Sequence, residues 1–385
     1  MACLMIAEPR RSDADGVEAG VTTSARLDNG TRAEQQGPWW GMALAPELGY
    51  SRALPTSSWE ALWRGSFDSY LDQGQTHPPT HQATLQASSH GASALESWVD
   101  AFYLRSSDPL PSSPSTPFAA GETRTLEGSA GLRAWRGEVS YALEGKAYES
   151  PGLTDAYLQT LDGALIPLRG QTDLVKVQAT WNDWHMDLPT RLMAATAMLG
   201  FERQNTPVLH TSVEAGMVDS RRDDGEPAVQ DFAYGASIDG IGRTLGLPFD
   251  VRARFRHDVV STGMAELWRS RPGLRASLKW ERRLDVQDGY FSDVALRTFG
   301  SLEVRDTVGT GTYLGLEGSA GRARPLSSEH PVVKFSRITA TVARRLQPRL
   351  TGRLAYSYSW RDEQHGAGTL ESFRSRAEVA LTAAL

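Results

Sequence analysis

The chain has a single cysteine, Cys3, in 385 residues. That excludes an internal disulfide framework and a cysteine-rich zinc site. No run approaches the roughly 20 consecutive apolar residues that a membrane-spanning helix needs, so a helical membrane protein is excluded too. There is no basic excess either: 40 Lys+Arg stand against 46 Asp+Glu, a net charge of -6, and nucleic-acid binding needs cations gathered on one face. The chain is therefore soluble, or it crosses a membrane as strands. A mean hydropathy of -0.38 fits both, because a barrel strand places an apolar residue only at every second position. An exported barrel is expected to carry a signal peptide. The start, Met1 to Ala7 followed by Glu8, Pro9, Arg10 and Arg11, has no basic n-region and too short an apolar core, so either a leader precedes Met1 or the chain is not exported.

What the chain does have is alternation. Residues 1–38 are polar and without period, and read as a flexible or processed tail. From there on Trp40, Met42, Leu44, Pro46, Leu48 and Tyr50 take one parity, and Gly41, Ala43, Ala45, Glu47, Gly49 and Ser51 the other. Trp59, Ala61, Trp63, Gly65, Phe67 and Leu71 oppose Glu60, Arg64, Ser66, Asp68 and Asp72. Phe249, Val251, Ala253, Phe255 and Val259 alternate with Asp250, Arg252, Arg254, Arg256 and Asp258. In the clearest run Leu350, Gly352, Leu354, Tyr356, Tyr358 and Trp360 alternate with Thr351, Arg353, Ala355, Ser357, Ser359 and Arg361. Soluble strands run about 5 to 6 residues and tilted membrane strands about 9 to 11, so length favours the membrane.

Similar segments run near 123–134, 137–148, 173–183, 208–219, 229–240, 273–283, 290–305, 311–322 and 332–346, and extended segments of ambiguous parity near 80–92, 94–105, 156–166 and 190–203. The expected fold is all-β: a transmembrane, antiparallel, up-and-down β-barrel of about 16–18 strands over residues 39–385, although hairpin parity does not close over 220–290. Asp108 to Gly121, with four prolines, reads as a surface loop, and Arg344 to Arg349 as a tight inner turn. A near-repeat, Leu126 to Gly131 and Leu316 to Gly321, has no regular period behind it and reads as shared strand grammar.

Trp40 and Tyr50 stand ten residues apart on one face, roughly 25 Å after tilting, the height of an apolar band between two aromatic girdles. The C-terminal run alternates Phe373, Ala377, Val379, Leu381, Ala383 and Leu385. On these features the chain resembles Gram-negative outer-membrane β-barrel proteins, the C-terminal run being similar to the signal read by the barrel-assembly machinery. It departs from that signal in ending on Leu385 rather than an aromatic. The resemblance implies outer-membrane lipid and that machinery as partners. By size and strand number it extends to the exopolysaccharide-export type, with polysaccharide and periplasmic export proteins as further partners. General diffusion porins and structural barrels share the same grammar, and a secreted soluble all-β carbohydrate-binding protein is the rival from another class.

No enzyme, metal or cofactor is expected. There is no G-x-S-x-G elbow and no H-E-x-x-H pair. His77 and His81, in His-Pro-Pro-Thr-His, read as solvated loop residues rather than metal ligands. Asp183-Trp184-His185-Met186-Asp187 reads as a girdle aromatic with solvated neighbours. Gly309-Thr310-Gly311 opens no helix and reads as a turn.

Charge says more. Residues 1–190 hold 13 Lys+Arg and 23 Asp+Glu, and residues 191–385 hold 27 and 23. Consecutive strands occupy consecutive arcs of a barrel, so this asymmetry predicts two facing walls in the lumen. The acidic wall would be Glu47, Glu60, Asp68, Asp72, Glu127, Glu138 and Glu144. The basic wall would be Arg252, Arg254, Arg256, Arg275, Lys279, Arg297, Arg305, Arg353, Arg361, Arg374 and Arg376. Opposed charge of this kind would orient a polar solute, or the charges would pair across a packed interior.

Overall fold

Strict alternation gives each strand an apolar and a polar face, and a sheet closed on itself is the arrangement that sends one face inward all round while leaving no edge. The computed structural model describes residues 16–30, 38–70, 75–76, 79–90, 95–106, 122–148, 155–186, 191–223, 228–244, 247–271, 273–285, 294–309, 311–326, 332–365 and 368–384. The strands are β1 (Gly16–Gly30), β2 (Pro38–Leu54), β3 (Ser57–Tyr70), β4 (Gln75–Thr76), β5 (Thr80–His90), β6 (Leu95–Ser106) and β7 (Thr123–Ala134). Then come β8 (Gly137–Tyr148), β9 (Ala156–Arg169), β10 (Asp173–Met186), β11 (Arg191–Thr206), β12 (Leu209–Arg222), β13 (Val229–Thr244) and β14 (Leu247–His257). The last are β15 (Ser261–Arg271), β16 (Leu274–Asp285), β17 (Ala295–Val308), β18 (Thr312–Pro325), β19 (Val332–Gln347), β20 (Leu350–His365) and β21 (Gly368–Ala384).

Every wall strand pairs antiparallel with its neighbours in sequence, and β1 pairs with both β2 and β21, which closes a barrel of 20 strands. The two-residue β4 only extends the end of β3, at Ser69 and Tyr70, beyond the β3–β5 ladder. The count exceeds the expected 16–18 for two reasons. Ser261–Arg271, β15, lies in the stretch where hairpin parity failed to close, and it hides its period by turning the apolar Met264 and Trp268 inward. Gly16–Gly30, β1, lies inside the segment expected to be a tail. The boundary at residue 38 is therefore corrected: this strand supplies the closing seam, with Leu27 beside both Trp40 and Ala377.

The two-residue connections 55–56, 135–136 and 348–349 fall at one end of the barrel; at the other lie the strand ends most widely separated in sequence, Ser106 and Thr123, together with the short connection 258–260. The described termini lie at the short end, where the Ala384 N–H donates to the Arg349 carbonyl at 3.0 Å. Short turns on the inner side and long loops outside are the pattern of outer-membrane barrels.

The outward parity is apolar and uncovered: Met42, Leu199, Leu354 and Val379 are 54% to 59% exposed. A soluble all-β protein would bury this parity in a core; here it forms the outside. Exposure of a continuous apolar belt around a closed sheet is stable only against lipid.

Candidate functional site

The candidate site is the inner wall of the barrel. Twenty strands about 4.8 Å apart and tilted about 40° enclose a backbone cylinder about 40 Å across if round, too wide for side chains on opposite walls to touch. Inward charges must therefore find partners along the wall, and they do.

On β14, Arg252, Arg254 and Arg256 share the inward parity, opposite Phe255. The Arg252 Nε–H donates to Asp239 on β13 at 2.8 Å, and its guanidinium lies 5.5 Å from the Trp268 ring on β15. Arg254 approaches Glu214 on β12 at 3.7 Å, and Arg256 approaches Asp258 at 3.2 Å. Arg252 and Arg254 remain half exposed toward the lumen. On β16, Lys279 and Arg283 share Glu281 at 2.6 and 3.4 Å. Arg305 on β17 pairs with Glu303, and reaches Glu317 on β18 at 3.5 Å. Arg275, beside Arg305 in the ladder, has no carboxylate partner among the described residues. Arg297 packs its guanidinium over Phe299 and Phe335, at 4.5 and 5.3 Å, and Arg361 beside Phe335 is buried.

The densest charge lies at the seam. Asp28 on β1 is fully buried and accepts from the Arg374 Nε–H at 2.7 Å and the Arg376 Nε–H at 3.1 Å. One turn of the pleat away, Glu378 on β21 binds Arg26 at 3.2 Å and Arg353 on β20. The Thr22 and Thr382 hydroxyls meet at 2.8 Å.

Of the acidic residues, Glu47 accepts from the Arg64 Nε–H at 2.8 Å, and Glu138 from the Arg133 Nε–H at 2.9 Å. Glu60, Glu127 and Glu144 occupy inward positions on β3, β7 and β8. Asp68 and Asp72 lie outside the residues whose side chains are described. The two facing walls are thus replaced by a finer mosaic, because a cation reaches a carboxylate one or two strands away far more cheaply than one across the lumen.

The inner wall is not polar throughout. Ala156, Trp184, Leu192, Ala194, Met198, Val218 and Ala233 form an apolar cluster at the long-loop end of β9 to β13, joined by Val294, with Val259 and Leu326 packed against it. This narrows the outer mouth. Within it the Trp184 Nε1–H and the Thr196 hydroxyl have no hydrogen-bond partner among the described residues. Trp184 is therefore no girdle aromatic. Parity sends it inward while Asp183 and His185 face out, Asp183 accepting from Arg191 at 2.8 and 2.7 Å and His185 stacking on Tyr157 at 4.6 Å. His81 stacks on Trp63 at 6.2 Å on the outer face, and His77 lies outside the described residues. Gly309 and Gly311 take positive φ, 63° and 95°, in the turn between β17 and β18. Among the described residues no group of three His, Cys, Asp or Glu side chains is placed to hold a metal ion. Sequence reasoning missed the roles of Asp28 and Asp239, which only strand pairing reveals.

No family model matches the chain, and no curated protein does. Among solved structures it is similar to OpdO of Pseudomonas aeruginosa, at 12% identity over 96% of this chain and 97% of that one, with a TM-score of 0.42. It is similar at the same TM-score to OpdK of Pseudomonas aeruginosa with vanillate, at 8% identity over 96% and 99%. For OccAB4 of Acinetobacter baumannii the values are 8%, 97% and 100%, with a TM-score of 0.39. Likeness at this level assigns neither a solute nor a residue role.

Proposed function

We propose that the protein is a diffusion channel in the outer membrane of a Gram-negative bacterium, passing small polar solutes and favouring anions. The carrying observation is the row Arg252, Arg254 and Arg256: three inward guanidiniums on one strand, about 7 Å apart, two of them half exposed to the lumen despite their carboxylate partners. A cation that stays hydrated beside its partner still biases the ions passing within a Debye length, about 8 Å at physiological salt.

Between the uses of such a barrel, small solutes fit the inner wall better than a polymer. Its charges are grouped in short local pairs, within one strand or between neighbouring ones, and an apolar cluster crowds the outer mouth. A polymer would favour one continuous chemistry along its path. The exopolysaccharide reading is accordingly set aside in favour of the porin-type one.

The test is a planar-bilayer recording of the purified full chain. With Arg252, Arg254 and Arg256 all changed to Gln, the channel should open as before and its anion preference should fall, with the difference between the two proteins shrinking as salt is raised. A protein that conducts nothing before or after the change would sink the channel reading and leave a structural barrel.

A further inference from the structure

The outward face carries one feature that neither lipid tails nor the lumen explain. Along a single row of the ladder, at the long-loop end, Arg282 on β16, Thr298 on β17, Arg322 on β18 and Lys334 on β19 are successive cross-strand neighbours. Arg324 follows Arg322 on the same face, opposite Leu296. Arg322 and Arg324 are exposed. Arg282, Arg322 and Arg324 make no ion pair with any described residue, and the Nε of Arg282 is buried without a hydrogen-bond partner. Lys334 has only Asp362, at 3.8 Å. Arg322 and Lys334 lie about 5 Å apart across the ladder, Arg324 about 7 Å from Arg322 along β18, and Arg282 about 10 Å from Arg322 with Thr298 between, so the like charges repel one another, and Asp362 offsets only Lys334.

Their height identifies the anion's setting. On β19 the outward residues run from Lys334 through Ser336, Ile338, Ala340 and Val342 to Arg344 at the short-turn end. Ten residues at barrel tilt span about 25 Å, the height of the apolar band, so Lys334 and Arg322 stand at the headgroup level of the outer leaflet. Immediately below the cations the next row reads Trp280, Gly300, Ala320, Ser336 and Trp360. Two tryptophans about 19 Å apart therefore wall a trough floored by three small residues, with Gly318 continuing it downward.

We propose that this surface binds a phosphorylated lipid of the outer leaflet, with the phosphate among Arg282, Arg322, Arg324 and Lys334 and the acyl chains lying in the trough between Trp280 and Trp360. Arginine suits the role, since its fork matches phosphate oxygens and it is weakly hydrated. The inference rests on the lipid placement of the outer face and not on conduction through the lumen.

The experiment is native mass spectrometry of the full chain in detergent with three probes: bis-phosphorylated lipid A, the same lipid without its phosphates, and inorganic phosphate. One bis-phosphorylated lipid A should bind per chain, and at least tenfold more weakly without its phosphates. Binding should fall at least tenfold in Arg282→Gln/Arg322→Gln/Arg324→Gln and also in Ala320→Trp, which fills the trough without touching charge. Arg344→Gln, at the opposite rim, should bind as the native chain does. Heat-modifiable migration and bilayer conductance, unchanged in all variants, show that the barrel and the channel persist, so their loss would indict those readings instead. Equal lipid binding by the triple variant overturns the site. So does inorganic phosphate competing as well as the lipid, or a native dimer that the triple variant turns to monomer, which would make a second copy the occupant.

Discussion

The indole of Trp98 on β6 occupies the space that a β-carbon on Gly131 of β7 would take. Both residues have the inward parity, so the glycine lets a large ring settle against the wall instead of standing into the lumen. Gly321 likewise faces an inward aromatic, Phe299, across the ladder, but there a β-carbon would meet the Thr298 carbonyl and the Phe299 Cα and Cβ, a close approach of strands rather than of the ring. These two glycines end the two copies of the Leu-Glu-Gly-Ser-Ala-Gly repeat, and the repeat thus marks a local device: a small inward residue beside an inward aromatic.

Gly131→Val should therefore force Trp98 off the wall. Overpacking of this kind costs about 1–3 kcal/mol, read as a lower temperature for conversion of the heat-modifiable band, and single-channel conductance should drop. Trp98→Ala in the same chain should restore both. An unchanged conductance in Gly131→Val would show that this ring does not bound the path.

Leu354 and Ala355 are consecutive on β20, one outward and one inward. Leu354→Arg places a cation in the midplane of the lipid and should cost about 2–4 kcal/mol in folding into bilayers. Ala355→Arg places the same group beside Glu378 and Thr341 on the wet side and should fold nearly as well as the native chain. Folding yields in the reverse order would mean that the register is inverted.

Asp28 bridges two arginines at the closing seam, with Asp28 and Arg374 at 0% and 4% exposure. Removing one partner of a buried pair costs about 3–5 kcal/mol, because the remaining charge is stranded. Asp28→Asn should lower the conversion temperature sharply, and adding Arg374→Gln should return part of the loss. A seam held by its backbone ladder alone would make Asp28→Asn silent.

Glu122, just before β7 and outside the membrane band, is held below the usual carboxylate range chiefly by its hydrogen bond to Arg105, with Arg124 at 2.7 Å assisting against the cost of burial. A lowered folded-state pKa gives stability that is complete above the ordinary carboxylate range and is lost as pH falls through the depressed value. Thermal conversion measured from pH 7 downward should show an acid-side decline in the native chain that is diminished in Glu122→Gln. Identical pH profiles would remove this pair from the stability of the β6–β7 hairpin.

The clearest runs legible in the sequence, 39–51 and 350–361, are those whose two parities differ most. Where both parities are apolar, the period disappears. On β11 Leu192, Ala194 and Met198 face in while Met193, Ala195 and Leu199 face out, and the strand was visible only as an extended segment. β15 was lost for the same reason. Among the site residues, Arg252, Arg254 and Arg256 were legible as one inward row, because side-chain direction along a strand is local.

Alternation along each strand by itself determined the class of this protein: a closed all-β sheet with its apolar side outward, since side-chain period is a property of consecutive residues. Only the tertiary structure decided what pairs with what. That Asp28 meets Arg374, 346 positions away, that β1 seals the barrel, and that the lumen's charges form a mosaic instead of two walls all follow from closure and register. Those depend on which distant strand lies alongside, and nothing in a local period carries that information.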